Sequence, residues 1–264
     1  MRLLSRLSVL LPLFAVLAAG CGSTGSDSGE TGTSNADTEH VAWSYEGENG
    51  PEHWNKLDEE YELCENGSNQ SPVNLADATR SPFPRITTDY RPEHIEIEDN
   101  GHAIEAQVED SKSSITIAGT RYQLEQFHFH IPSEETIEGR RYPASLHMVH
   151  ISDDGQIAVV GAMVQPGEPN EALTFETPAP DGEFEAEAEI DPNHLIPDDR
   201  TAYRYEGSLT TPPCTEGVTW TVFRQPITMA AEKFNAIRSI HNDNSRPIQP
   251  IGQRKILFGP ALAR

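Results

Sequence analysis

The chain of 264 residues carries 19 Lys and Arg against 42 Asp and Glu, a formal net charge of −23. That excess argues against a nucleic-acid binder, which needs clustered cations facing phosphates, and against docking on an anionic membrane through basic patches. The length suits one domain of generous size, and 36% hydrophobic content with 20 Pro and 19 Gly describes a loop-rich globular protein with an acidic surface.

Residues 1–20 read as a removable leader: Arg2 and Arg6 are basic, Leu7 to Leu17 are mostly apolar, and Ala18, Ala19 and Gly20 are small. The apolar run is too short for a comfortable membrane span. Cys21 follows directly, so the leader resembles a bacterial lipoprotein signal in which that cysteine is lipidated. An ordinary secretory signal is the alternative, and both imply export, to the periplasm or to a membrane anchor. Gly22 after Cys21 lacks the aspartate of inner-membrane retention, which favours the outer membrane. Residues 21–41 are rich in Gly, Ser, Thr and acids and read as a flexible tether, with the folded domain at 42–264.

Within the domain, period-two alternation predicts strands. Ile95 and Ile97 alternate with Glu96 and Glu98, Asn100-Gly101 turns the chain, and Ile104, Ala106 and Val108 resume the pattern. Ile115 and Ile117, then 122–131, 146–151, 156–164, 203–209 and 218–224, continue it. Helical periodicity is confined to a short turn at 51–57 and to 229–240, where Ala230, Ala231, Phe234, Ile237 and Ile240 form a stripe behind Thr228 as a cap. The expected fold is mainly β (α+β), a single domain on a large, mostly antiparallel twisted sheet with short peripheral helices.

With Cys21 set aside, Cys64 and Cys214 are left in an oxidising compartment, and a disulfide is the economical use of the pair. It would close a loop long enough to contribute about 4–5 kcal/mol in the chain-entropy account. Two thiolates on a metal would show a much shorter spacing.

The chemistry concentrates in Gln126-Phe127-His128-Phe129-His130-Ile131. Residues two apart share a strand face, so Gln126, His128 and His130 line one side while the aromatics bury the other. Two imidazoles on one face suit a metal, and a third ligand is available from His147 or His150, which point to opposite faces of the next strand. Three neutral imidazoles leave a fourth zinc position open, the catalytic arrangement. His128-X-His130 with Glu134 also echoes the cupin metal motif, but the flanking glycines of that motif are missing.

The sequence is similar to the α-class carbonic anhydrases over roughly residues 42–258. The shared segments, in family order, are Trp43-Ser44-Tyr45, Gly50-Pro51-Glu52-His53-Trp54, Gln70-Ser71-Pro72-Val73, Asn100-Gly101-His102-Ala103, the His128/His130 strand, Pro132-Ser133-Glu134, Leu146-His147, Ser208-Leu209-Thr210-Thr211-Pro212-Pro213, Val218-Thr219-Trp220 and Arg246-Pro247-Ile248-Gln249-Pro250. The resemblance implies zinc on His128, His130 and His147, and leaves His150 a structural histidine. It implies reversible hydration of carbon dioxide to bicarbonate and a proton by zinc-hydroxide attack. Thr210 would accept the hydroxide's proton as a hydrogen bond, Glu134 would orient Thr210, and His102 would shuttle protons at neutral pH. Tyr45 and Asn100 match residues that order the water beside that shuttle. Val149, Val159, Leu209, Thr211 and Trp220 match the wall of the substrate pocket. Cys64 and Cys214 fall where many bacterial members carry a disulfide.

Two positions depart from the family. It usually has Glu two residues before the third ligand, here Ser145, and His directly after the orienting glutamate, here Glu135. Those side chains touch in the family, so Glu135 is expected to supply the carboxylate that Ser145 lacks, behind the ligands with Gln126. The rival from another class is a non-catalytic binding or adhesion lipoprotein; the intact histidine set with Glu134, Thr210 and His102 weighs against it. Monomer and dimer both fit the sequence. Four lysines (Lys56, Lys112, Lys233, Lys255) among so many acids also suggest adaptation to high salt.

Overall fold

Alternation of apolar and polar side chains builds the molecule. The structure, a computed structural model, describes residues 42–177 and 185–263. In chain order its strands are β1 (Thr79–Arg80), β2 (Ile86–Asp89), β3 (Glu93–Asp99), β4 (Ile104–Gln107), β5 (Ser114–Ile117), β6 (Thr120–His130), β7 (Thr136–Ile137), β8 (Arg140–Arg141), β9 (Ala144–Ser152), β10 (Ile157–Gly167), β11 (Glu185–Ile190), β12 (Thr201–Ser208), β13 (Glu216–Ala230) and β14 (Leu257–Pro260). The α-helices are α1 (Trp54–Leu57), α2 (Leu63–Asn66) and α3 (Ala231–Ile240).

Twelve strands form one sheet in the order β1-β14-β12-β13-β10-β9-β6-β4-β3-β11, with β5 joined to β6 and β2 to β5; β7 and β8 make a separate ribbon. The sheet is mixed. β1 with β14 and β10 with β13 are parallel, and the other pairings are antiparallel.

Each face has its own core. Ile95, Ile97, Ile104, Ala106, Phe127, Phe129, Leu146, Met148, Val160 and Phe223 pack on one side, beneath Phe234 and Ile237 of α3. The opposite side carries Val159, Met163, Tyr203, Tyr205, Val218, Trp220 and Val222. The histidines His128 and His147 emerge on this second side, His147 against the Trp220 ring.

The expected strands are present, and the helix at 229–240 is shorter than its stripe. Thr228 does not cap it: β13 runs on to Ala230 because Gln165, Pro166 and Gly167 of β10 continue the ladder opposite Thr228, Met229 and Ala230. α3 then starts at Ala231, and Ala230 caps it without a side-chain hydrogen bond. The β11 strand gave little sequence signal, because its inward positions are the small Ala186 and Ala188, with Ile190 alone a large side chain buried in the core.

Cys64 and Cys214 form a disulfide across 150 residues of sequence. It is buried beside Trp54, with Trp43, Tyr45, Leu57 and Tyr61 packed around it. Among the described residues no helix is long and apolar enough to cross a membrane. The leader, Cys21 and the tether lie outside the described residues.

Candidate metal centre

The ladder between β6 and β9 assembles the histidines. It pairs His128 with His147, His130 with Ser145 and Gln126 with Val149, so these six side chains share a face. His150 lies on the other face. Its Nε2 is 2.8 Å from the Tyr90 hydroxyl and its Nδ1 3.1 Å from the Met148 carbonyl. Across β10, Gly161 stands opposite His147. A Cβ there would lie 3.3 Å from a Val222 methyl, closer than ordinary contact, and 3.7 Å from the His147 ring, an ordinary contact.

His128, His130 and His147 each present one ring nitrogen, and all three lie within 4.8 Å of one another. The other nitrogen of each ring is engaged. His128 Nδ1 is 2.7 Å from Gln126 Oε1, His130 Nδ1 is 2.7 Å from the Asn244 carbonyl, and His147 Nε2 is 3.2 Å from Glu135 Oε2. Each of those oxygens accepts an N–H, which fixes the tautomer and leaves a bare lone pair at His128 Nε2, His130 Nε2 and His147 Nδ1. His130 Nε2 is buried without a hydrogen-bond partner.

Electrostatics agree with neutral donors. Burial, then the neighbouring His147, pushes His128 down to about 3. Burial holds His130 well below the usual imidazole value, with His147 and His128 adding to the effect. His147 differs: burial disfavours its charge, but the Glu135 carboxylate beside it leaves its pKa raised.

Glu134 is fully buried, and burial pushes it up to about 7. Its Oε1 accepts the Arg246 N–H at 2.9 Å, its backbone N–H donates to Ser145 Oγ at 3.2 Å, and the Thr210 side chain bonds its carboxyl group. Its Oε2 lies 3.5 Å from His130 Nε2 and 3.8 Å from His147 Nδ1. Glu134 thus stands at the bare nitrogens.

The apolar wall stands beside them. Val149 pairs with Val159, Val159 pairs with Trp220, and the Trp220 ring meets His147 edge-on at 4.8 Å. Leu209 packs against the same cluster, and the Thr211 carbonyl accepts the Cys214 N–H in the turn that follows.

His102 is half-buried and stacks on Trp43 with ring centroids 3.6 Å apart. Gly101, at φ +81°, makes its turn, and the Asn100 side-chain oxygen accepts the His102 and Ala103 N–H groups at 3.0 and 2.8 Å. Tyr45 packs against Trp43 and Trp54 and faces Glu134 electrostatically. Burial, then His241, holds His102 below the ordinary imidazole value, partly offset by Asp99.

A sequence model described as eukaryotic-type carbonic anhydrase matches residues 49–259. The chain belongs to the α-class carbonic anhydrases. A carbonic anhydrase of Klebsiella pneumoniae is 41% identical over 221 residues, covering 81% of this chain and 90% of that protein. Among solved structures, the α-carbonic anhydrase of Photobacterium profundum is 38% identical with a TM-score of 0.76, covering 82% of this chain and 100% of that one. The α-carbonic anhydrase of Thermovibrio ammonificans, solved with the inhibitor sulfanilamide, is 39% identical with a TM-score of 0.76, covering 82% and 99%.

Membership leaves several residues of this carbonic anhydrase for the structure to find. Asn244 and Arg246 hold the centre from far along the chain. Besides its carbonyl on His130, Asn244 accepts the Ile131 N–H at 2.7 Å and donates to the Phe129 and His102 carbonyls at 3.0 Å. The Arg246 guanidinium is buried and donates to Gln70, Ser71 and the Cys64 carbonyl. The only sequence signal was the Arg246-Pro247 motif. Glu105 was missed as well.

Proposed function

We propose that this chain is a zinc-dependent carbonate dehydratase, hydrating carbon dioxide reversibly to bicarbonate and a proton. The observation that carries the reading is the set of three imidazole nitrogens, those of His130 and His147 on buried side chains, left bare by fixed tautomers. Three neutral nitrogens from two strands fit zinc with an open fourth position. Zinc held by His128, His130 and His147 would supply a Lewis acid that acidifies a water molecule.

The chain's own residues supply the rest. Glu134 would take the Thr210 hydroxyl proton as a hydrogen bond, leaving the Thr210 oxygen as an acceptor. That acceptor fixes the orientation of the attacking oxygen. The Thr210 backbone N–H would meet negative charge developing on a substrate oxygen. Val149, Val159, Leu209 and Trp220, with Thr211 at the rim, offer a neutral linear gas an apolar seat and give the charged product little to hold. His102, half-buried on its Asn100-Gly101 turn, would take the released proton to solvent, with Tyr45 packed on the Trp43 ring that His102 stacks against. The leader and Cys21 support an exported, membrane-anchored form of the enzyme.

Stopped-flow hydration of carbon dioxide by purified 38–264, with zinc quantified on the same sample, tests this. A fast, chelator-sensitive rate at one zinc per chain is expected. Full zinc with no rate would favour the non-catalytic binding reading instead.

A further inference from the structure

Glu105 sits on β4 directly opposite His128 on β6, on the face that carries the metal centre. Neither its residue type nor its neighbours marked it in the sequence. Its surroundings do. The carboxylate Oε2 accepts from Gln126 Nε2 at 2.9 Å and from Asn100 Nδ2 at 3.3 Å, and Oε1 accepts from Gln107 Nε2. Three amides therefore donate to one carboxylate and hold it in place.

The consequence lies at Gln126. A glutamine amide can present either its oxygen or its NH2 to a neighbour, and rotation by half a turn exchanges them. An ionised carboxylate only accepts. With Glu105 behind it, the amide must turn its NH2 to Glu105 and its oxygen to His128 Nδ1, 2.7 Å away. An oxygen there requires a proton on Nδ1, and the lone pair is then on Nε2, the nitrogen that faces His130 and His147. Turned the other way, the NH2 would favour a bare Nδ1 and a protonated Nε2, which cannot ligate.

Asn100 is constrained from its other end. Its oxygen is occupied by the His102 and Ala103 N–H groups, so its NH2 is the end left for Glu105. Glu105 is thus supported by a turn that is itself fixed.

We propose that Glu105 is a positioning residue for the metal centre, fixing the Gln126 amide and through it the ring tautomer of His128. This rests on the proposed function for the identity of the ligand, but the tautomer can be read independently. Burial, then the Glu98 carboxylate, pushes Glu105 up to about 7. The measurements therefore belong at about pH 8.5, where it accepts only.

The test uses the zinc-loaded full domain with Glu105→Ala, Glu105→Gln, Gln126→Ala and the Glu105→Ala/Gln126→Ala double variant. Zinc release to a chelator is timed, and the His128 Nδ1–H is followed by ¹⁵N-resolved NMR. Glu105→Ala should release zinc roughly tenfold faster, the low end of what partners behind a ligand contribute, and weaken the Nδ1–H signal. Glu105→Gln keeps an accepting oxygen and should stay within about twofold of the parent. In the Gln126→Ala background, Glu105→Ala should add nothing. Parental release and an intact Nδ1–H in Glu105→Ala would overturn the proposal, as would an equal loss with and without Gln126. The Nδ1–H comparison holds whether or not the parent hydrates carbon dioxide, so the two readings fail separately.

Discussion

Glu135 Oε2 lies 3.2 Å from His147 Nε2, and both side chains are buried. The carboxylate behind the third histidine therefore arrives from the residue after Glu134, not from position 145. Ser145 is occupied elsewhere, accepting the Glu134 N–H. A buried carboxylate thus stands behind His147 although position 145 carries a serine.

The position of Glu135 makes a sharp prediction. Glu135→Gln replaces a charged acceptor by an amide that can present either end, so zinc affinity should fall about 10–100-fold in chelator competition. Ser145→Glu alone should not improve affinity, because it would bury a second carboxylate beside Glu134 and Glu135. Unchanged affinity in the first variant together with a gain in the second would remove Glu135 from this role.

His102 should titrate below 6.5, because burial against Trp43 and the nearby His241 both disfavour its charge. A depressed value keeps the imidazole neutral, and able to accept a proton, to lower pH. Hydration limited by proton export should hold as pH falls below 6.5 and decline only through the depressed pKa. His102→Ala should slow hydration in dilute buffer toward the low end of the roughly 10²–10⁴-fold that a positioned acid–base group supplies. Exchange between carbon dioxide and bicarbonate should be unaffected. Rescue by added imidazole buffer would identify the lost step as proton transfer.

Much of this site was legible because strands alternate. His128 and His130 on one face, with Phe127 and Phe129 on the other, follow from period two alone. The choice between His147 and His150 depends on ladder register, which one strand's sequence does not specify; pairing His128 with His147 resolves it. Asn244 and Arg246 act on His130 and Glu134 across more than 100 residues, so no local pattern could place them. Glu105 looks like any exposed acid of an alternating strand until β4 is laid beside β6. Thr228 had the right chemistry for a helix cap but is claimed by its ladder with β10.

His150 contributes a pH dependence of its own. Burial pushes it down to about 4, against 6.5 in the unfolded chain, so the folded state resists a proton that the unfolded state accepts. The unfolded state binds more protons below about pH 6.5, and stability therefore falls as pH drops from there toward 4. The full loss is about 3 kcal/mol. Urea unfolding from pH 7 to pH 4 should show this component, and His150→Gln should flatten it. An unchanged slope in that variant would assign the acid sensitivity to other groups.

The disulfide and the buried cluster around it should matter more to stability than to chemistry. Cys64 and Cys214 close a loop of 150 residues, and removing such a bridge costs about 2–5 kcal/mol. Cys64→Ser/Cys214→Ser should lower the urea midpoint accordingly. The Cys64 carbonyl also accepts from Arg246 Nη2 at 2.6 Å, and Arg246 donates its backbone N–H to Glu134. Some loss of hydration rate in the variant, at full zinc, would show that the bridge steadies Glu134 through Arg246. A full rate would confine it to stability.

The acidic surface gives the last prediction. At the sheet edge β3 and β11 place Glu96 opposite Glu187, both exposed, and Glu189 opposite His94, 3.7 Å apart. Like charges directly across a ladder are destabilising, and exposed charges are screened by salt. With a net charge of −23, the whole surface shares this repulsion. The thermal midpoint should rise between low and molar sodium chloride. Glu187→Lys should stabilise the chain at low salt by about 0.2–1 kcal/mol, and the gain should shrink as salt is added. A midpoint that does not move with salt would show that the acids are already compensated within the fold, and the adaptation to high salt suggested by the sequence would be wrong.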